Sequence, residues 1–531
     1  MVGMNRLVAC GLMIAGILAP VTAQARPWIK AESEHFVIYS AAPEAATRAY
    51  VAKLETFYDV TGEFYDQMSE TIVPQSTKTR FTLMSSVYMF CTVRPEAEQR
   101  SFSPYLPCRE GVQYFSTADG DDNNRLFGGA LDPDIDLNLA YLFYGYNSQI
   151  LHERFVKLPR WVASGLNWYF MTAVFKDDKI LIGKSPPNIA MSLREDNVAD
   201  LRQAQKLDFA EVIADAPVSK FRADVYALQS WTMVSYLMSD PDRRAKFFSY
   251  LRQVDEGADP MTAYKATIGI EPAQYDQVLK TYMRKGLQYS SYKVANLPTA
   301  AVTITALPDY PGDLPLVDAA IQTCQTPEHG LDLLKTARKS AERFPNDRLA
   351  QTVVARGEIR FGDPNAAKAF LVKALAADPK DYEAQYLLGR MYLQLAQTGP
   401  QADQAKNYAA ARTELGKAYK LNPSSPEGIY FYIQAFRDRP NYPDYNTLRA
   451  LEVANSYSGD RYDLYYADLL TRRGRYAEAL TIVDDHLVEA RAQGRRERAD
   501  FLQSVHDFLA AKTPKGEFPA DFDKFSALPE D

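Results

Sequence analysis

The chain has 531 residues and a mass of 59.8 kDa, several times the ~150 residues of a typical domain, so a single small module is excluded. With 47% hydrophobic, 24% charged and 12% aromatic residues it carries enough apolar surface to fold nearly throughout, leaving only short tails to disorder. The 60 Lys and Arg against 67 Asp and Glu give a net charge of -7, which offers no electrostatic basis for holding a phosphate backbone and argues against nucleic acid as a partner.

The N-terminus reads as a processing signal. Arg6 supplies a positive start, Leu7 to Val21 an apolar stretch, and Ala23-Gln24-Ala25 the small-x-small end that a signal peptidase accepts, predicting a signal peptide over 1–25 and a mature chain from Arg26. Cys10, in Leu7-Val8-Ala9-Cys10, is a superficial lipidation site with almost no apolar stretch ahead of it. No later window reaches the about 18 uninterrupted apolar residues of a membrane helix. An exported, soluble protein with no membrane span is expected, periplasmic if the source is Gram-negative. Loss of the leader leaves Cys91, Cys108 and Cys324 in an oxidising compartment. Cys91 and Cys108 flank a Pro-containing, loop-like stretch and form the natural pair, leaving Cys324 over; three buried thiols without a bridge is the alternative.

From Trp28 to about Leu297 strand and helix signals mix. Glu34 to Tyr39 reads as a strand, and Pro43-Glu44 opens a helix on which Tyr50, Leu54, Phe57 and Tyr58 recur at helical spacing. Phe81 to Met84 and Gly111 to Phe115 read as further strands, and Asp119 to Asn124 as a solvated loop without the spaced ligands of a calcium site. After Asp136 the pattern turns helical, broken by a strand at Lys179 to Gly183. The segment 296–315, with Pro298, Pro308, Pro311 and Pro315, reads as a linker between domains.

Beyond the linker lies a repeat. Ala367, Leu371, Ala374 and Pro379 follow one another at intervals of four, three and five, and Ala411, Leu415, Ala418 and Pro423 repeat those intervals. Leu388-Gly389 and Tyr392 supply the first helix of that second copy, Gly389 being where a tiny side chain lets the partner helix approach; Ala467, Gly474, Ala479 and Val483 form another copy. Pro345 to Pro379 spans 34 residues, and Pro379 to Pro423 spans 44, one period plus an insertion. These residues resemble tetratricopeptide repeats. About five helix pairs over 316–512 are expected, followed by a tail at 513–531. The resemblance implies protein or peptide binding on a concave face.

Chemistry surfaces at one place. In Leu151-His152-Glu153-Arg154-Phe155-Val156 a His-Glu pair stands as in the zinc-protease pattern HExxH, where residues four apart on a helix reach one metal ion, but Val156 occupies the second histidine position. Pro159-Arg160-Trp161-Val162-Ala163-Ser164-Gly165-Leu166-Asn167-Trp168-Tyr169-Phe170 resembles the PxW(L/V)xEGLAEYF segment of gluzincin metallopeptidases, specifically the peptidase-MA-like domains often joined to tetratricopeptide repeats. The strand at 179–184, the helix Tyr226 to Leu237 and the stretch from Gly257 to Tyr275 follow in that family's order. Position by position, the resemblance implies His152 as a retained zinc ligand and Glu153 as a retained base. Val156 falls where the second ligand stands, Ser164 where the ligand Glu of the EG pair stands, and Trp168 where the AEYF glutamate stands. Valine offers no lone pair, and one imidazole is left where about three protein ligands are needed.

The only other histidine of the mature first domain, His35, sits in the first strand and reads as a surface or packing residue. Ala163-Ser164-Gly165 lacks the glycine of a nucleophile elbow, and no phosphate-binding glycine loop occurs. The fold class expected is therefore an α+β gluzincin-like domain over 26–295 plus an all-α tetratricopeptide-type domain. The function expected is non-catalytic binding or scaffolding in the cell envelope, with no cofactor and with the vestigial His152 and Glu153 in a buried hydrogen-bonded pair. The alternative is an active metallopeptidase or other hydrolase with an atypical site around His152 and Glu153, for which zinc is the cofactor.

Overall fold

The structure is a computed structural model, and it describes residues 27–69, 78–95, 102–118, 134–155, 157–176, 178–186, 207–216, 223–293, 301–458, 460–492 and 495–511. The expected signal peptide, the acidic loop at 119–124, Val156 and the tail at 513–531 lie outside these residues.

Two antiparallel strands, β1 (Ile29–Glu32) and β2 (Phe36–Ser40), begin the chain. Helix α1 (Glu44–Tyr65) then carries it over to β3 (Thr79–Met84), which runs parallel to β2. A parallel pair needs such a crossover, because a tight turn can only reverse direction. The hairpin β4 (Tyr105–Cys108) and β5 (Gly111–Thr117) completes that side, β5 being parallel to β3. Of the stretch between Cys91 and Cys108 that reads as loop, Tyr105–Cys108 is an edge strand, where the missing amide donor of Pro107 costs no ladder bond.

The sheet order is β4-β5-β3-β2-β1-β9. Its last member, β9 (Thr303–Ala306), pairs with β1 in the register Ile29 to Ala306. This corrects the expected linker at 296–315 for its described part, 301–315: Thr303–Ala306 is a strand, Pro308 and Pro311 follow it, and Pro315 lies in the first turn of helix α9 (Leu314–Gln322), where no amide donor is lost.

Side chains alternate across the sheet. Phe36, Ile38, Phe81, Leu83 and Tyr114 join one core with α1 and helix α2 (Leu137–Arg154). Tyr39, Met84 and Phe115 join another with Leu314, Leu316, Val317 and Ile321 of α9. Both faces are therefore covered by helices, as parallel strands require. Helix α3 (Arg160–Phe170) leads to a small antiparallel sheet of β6 (Val174–Lys176), β7 (Lys179–Ile182) and β8 (Ser290–Lys293). Between β7 and β8 lie α4 (Phe209–Ile213), α5 (Ala223–Met238), α6 (Pro241–Asp255), α7 (Pro260–Thr267) and α8 (Tyr275–Arg284).

The disulfide corrects a second expectation. Cys108, closing β4, is bonded to Cys324, just beyond α9, with the two Cα atoms 5.5 Å apart; it is not bonded to Cys91. Cys91 is nearer in sequence but sits in the short helical turn Val87–Thr92, whereas the packing of α9 on the sheet brings Cys324 to the end of β4.

The rest of the chain is helical: α10 (Pro327–Arg343), α11 (Arg348–Phe361), α12 (Lys368–Ala377), α13 (Tyr382–Thr398), α14 (Gln401–Leu421), α15 (Pro426–Gln434), α16 (Tyr445–Ser458), α17 (Asp463–Arg472), α18 (Tyr476–Ala492) and α19 (Arg496–Ala510). Asp347, Asp381 and Ser425 cap α11, α13 and α15, each side chain accepting from the backbone N–H three residues on. Leu333 and Ala337 of α10 and Ala350 and Val353 of α11 join the core beneath the sheet, while from Ala355 on the helices share another core, in which Ala367, Ala374, Leu388, Ala411, Ala418, Ala467 and Ala479 are all buried and Tyr392 is half-buried. At Gly389 a Cβ would meet Leu415 Cγ of α14 at 2.5 Å, so glycine is the residue that lets these two helices touch. Among the described residues no helix is long and apolar enough to cross a membrane.

Candidate functional site

Asp136 caps α2 by accepting from the backbone N–H groups of Asn138 and Leu139, and the helix runs to Arg154, so His152 and Glu153 stand in its last turn, both half-buried. One turn earlier, Gln149 donates from Nε2 to Glu153 Oε1 at 2.8 Å, and its own Oε1 accepts from the Tyr114 hydroxyl of β5 at 2.6 Å. The hydrogen bond shown at the Glu153 carboxylate thus comes from Gln149, whereas the sequence suggested a pair with His152. Burial pushes the Glu153 carboxyl above its ordinary range; Gln149 and Arg154 oppose this, and the nearby Glu427 adds to it.

Helix α3 places Ser164, half-buried, beside Gly165. A Cβ on Gly165 would lie 2.5 Å from the Ser230 carbonyl oxygen and from Val234 Cγ2, which explains this glycine as a close approach of α3 to α5. Helices α1, α2 and α3 are tied by a buried polar relay: Tyr65 Oη donates to Asn147 Oδ1 at 2.5 Å, and Asn147 Nδ2 donates to Asn167 Oδ1 at 2.8 Å. Trp168 meets Tyr144 edge-on at 5.4 Å, in a small core with Met171 and Val174. His35, in the bend just before β2, stacks on Tyr58 at 3.9 Å, with Nδ1 2.7 Å from Glu55 Oε2. Among the described residues no three His, Cys, Asp or Glu side chains gather into a set that could hold a metal ion.

The helical region packs on the far end of β4 and β5. The Arg109-Glu110 tip of the β4-β5 hairpin inserts against the helices, with the Glu110 side chain 8% exposed. Its carboxylate accepts from Arg390 Nη2, lies 3.7 Å from Arg360 Nε, and accepts from the Tyr386 hydroxyl at 3.4 Å. Tyr462 donates to the Arg109 carbonyl at 3.1 Å, and the Arg390 guanidinium rests 3.3 Å from the Phe431 ring centre. Burial works against ionisation of Glu110, but Arg390, Arg360 and Arg109 outweigh it and bring the carboxyl down to about 2. Further along the same surface, Arg80 of β3 and Arg356 of α11 share Asp318 and Glu383; there too burial opposes ionisation, and the two guanidinium groups bring Glu383 down to about 2.

Sequence reasoning missed this charged and aromatic surface. Its signal was legible as Arg356 with Arg360, and as Tyr382, Tyr386 and Arg390, four apart on one helix face each. The chain matches no family model and no curated protein.

Proposed function

We propose that this chain is a non-catalytic polypeptide-binding or scaffolding protein of the cell envelope, in which an α/β region related to gluzincin peptidases is joined to tetratricopeptide-type repeats. The observation that carries this reading is the grip of the helical region on the Arg109-Glu110 tip. Paired guanidinium groups, tyrosine hydroxyls and an aromatic platform hold a chain segment by its backbone carbonyl and its carboxylate, the means by which a polypeptide is recognised. Residue identity speaks against retained zinc chemistry: Val156 and Ser164 stand at two ligand positions of the resembled motif, and Gln149 engages the carboxylate of Glu153. The peptidase cleft that the resemblance implies beside His152 and Glu153 is then the place proposed for a peptide to lie. Export is supported by the N-terminal apolar stretch and by the Cys108-Cys324 bond, since disulfides persist in oxidising compartments.

Elemental analysis of the purified mature protein, together with a peptide-hydrolysis assay, tests this. Zinc far below one per chain and no hydrolysis dependent on Glu153 are expected, with Val156→His plus Ser164→Glu as the variant that shows whether the scaffold can regain metal. Stoichiometric zinc in the unaltered protein, or hydrolysis abolished by Glu153→Gln, would instead assign an active hydrolase.

A further inference from the structure

The register pairs Cys108 with Gly111 across the β4-β5 hairpin, so Arg109 and Glu110 alone form its tip. Two-residue hairpins favour Asn-Gly, Asp-Gly or a leading glycine, because their central residues take positive φ. Neither Arg109 nor Glu110 does; Gly111 behind them takes it instead, at 128°. The turn therefore does not account for these two residues, but their contacts do. Glu110 Oε1 meets Arg390 Nη2 of α13 and Arg360 Nε of α11, and Oε2 accepts from Tyr386. Tyr462, which donates to the Arg109 carbonyl, stacks on Tyr430 of α15 at 4.3 Å, and the adjoining Phe431 carries the Arg390 guanidinium. A side-chain carboxylate and a neighbouring main-chain carbonyl are thus held by groups from three helices and a turn.

Two features set this contact apart from a permanent joint. The tip fills the site incompletely: two guanidinium groups face one carboxylate, Tyr386 is 3.4 Å away, and Arg360 Nε at 3.7 Å is beyond hydrogen-bond reach. The tip is also tethered at its base. Cys108 is bonded to Cys324, and Arg360 donates from Nη1 to the carbonyls of Ile321 and Thr323, just before that cysteine. A tethered ligand needs little intrinsic affinity, because its effective concentration is high. A buried ion pair, moreover, adds little stability over apolar packing of the same volume.

We propose that the Arg360, Arg390, Tyr386 and Tyr462 socket is the receptor for a glutamate-bearing segment of a partner polypeptide. The Arg109-Glu110 tip fills it as an internal stand-in, and the Cys108-Cys324 bond is the latch. This rests on the reading of the helical region as a polypeptide-binding surface, and it adds the partner's chemistry and the condition for its entry. A dithiol opens the latch: one thiolate attacks a sulfur of the bond and releases the other cysteine as a thiolate, and the second resolves the mixed disulfide. Two cysteine thiols remain in the chain, and the dithiol leaves as a disulfide.

The test is fluorescence anisotropy of the full mature chain with labelled Tyr-Leu-Pro-Ser-Arg-Glu-Gly-Val, a copy of 105–112 with serine for cysteine, and with its Gln counterpart. Chain reduced by dithiothreitol, and the Cys108→Ser plus Cys324→Ser variant, should bind the Glu peptide at least tenfold more tightly than the oxidised wild type does. They should also prefer it at least tenfold over the Gln peptide, and Arg390→Gln added to the serine variant should abolish that preference. Thermal melts establish that each form folds. Should the open forms not fold, Glu110→Ala with the bond intact decides: acetate should raise its melting temperature and leave the wild type unmoved, with equimolar sodium chloride as the control, and no such rise would overturn the receptor. Equal binding to oxidised and open forms would overturn the latch, and equal affinity for the two peptides would overturn the carboxylate receptor. Binding of neither peptide by any folded form would overturn both, while the zinc and hydrolysis measurements decide the non-catalytic reading separately.

Discussion

Glu110→Gln changes one oxygen to nitrogen at the hairpin tip and removes the only negative charge that the tip offers to Arg390 and Arg360. All three side chains are at most 8% exposed, so the two guanidinium groups would be left in low dielectric without their counter-charge. Burial pushes Arg360 down only to about 10, so it stays charged at neutral pH. The Glu110 carboxyl falls from an ordinary 4.5 to about 2, a difference of some 2.5 units, which at about 1.36 kcal/mol per unit corresponds to roughly 3 kcal/mol. Removing one partner of a buried ion pair typically costs about 3–5 kcal/mol, so the two routes agree.

Urea unfolding followed by circular dichroism at pH 7 should show a loss of about 3 kcal/mol in Glu110→Gln. The pH dependence carries a definite sign. Because the folded carboxyl is depressed, its stabilisation is complete above about 4.5 and is lost as pH falls toward about 2. The gap between wild type and variant should therefore close over that window. A gap below about 0.5 kcal/mol at pH 7, the range of an ordinary surface change, or one that does not vary between those pH values, would refute the argument that the tip is a buried ionic anchor.

Two further outcomes follow from the packing. Non-reducing peptide mapping should recover a Cys108-Cys324 linked peptide; the 216-residue separation gives a chain-entropy estimate of about 5 kcal/mol, so reduction should lower the melting temperature markedly, and recovery of a Cys91-Cys108 peptide would contradict the structure. Gly165→Ala places a methyl group 2.5 Å from a backbone carbonyl that cannot rotate away and should cost about 1–3 kcal/mol in urea unfolding, whereas Ser164→Ala at the half-buried neighbouring position should cost less than about 0.5 kcal/mol; equal costs would show that α3 and α5 are not held at this distance.

Much of the local structure could be read from residue order, because it depends on spacing along the chain. Tyr50, Leu54 and Phe57 recur on one face of α1 and are buried together, and Ala411, Leu415 and Ala418 repeat the spacing of Ala367, Leu371 and Ala374 within one helical core. That Val156 and Ser164 stand where the resembled motif carries metal ligands was equally legible, being a matter of residue identity. Contacts between residues hundreds of positions apart were not. Thr303–Ala306 completes the sheet beside Ile29–Glu32, Cys324 rather than Cys91 reaches Cys108, and the Arg109-Glu110 tip meets Arg360, Arg390 and Tyr462. Periodicity records which face of an element avoids water, but not which distant face it meets. That pairing is selected when the whole chain folds, by the burial of both faces of the sheet and by the need of each buried charge for a partner.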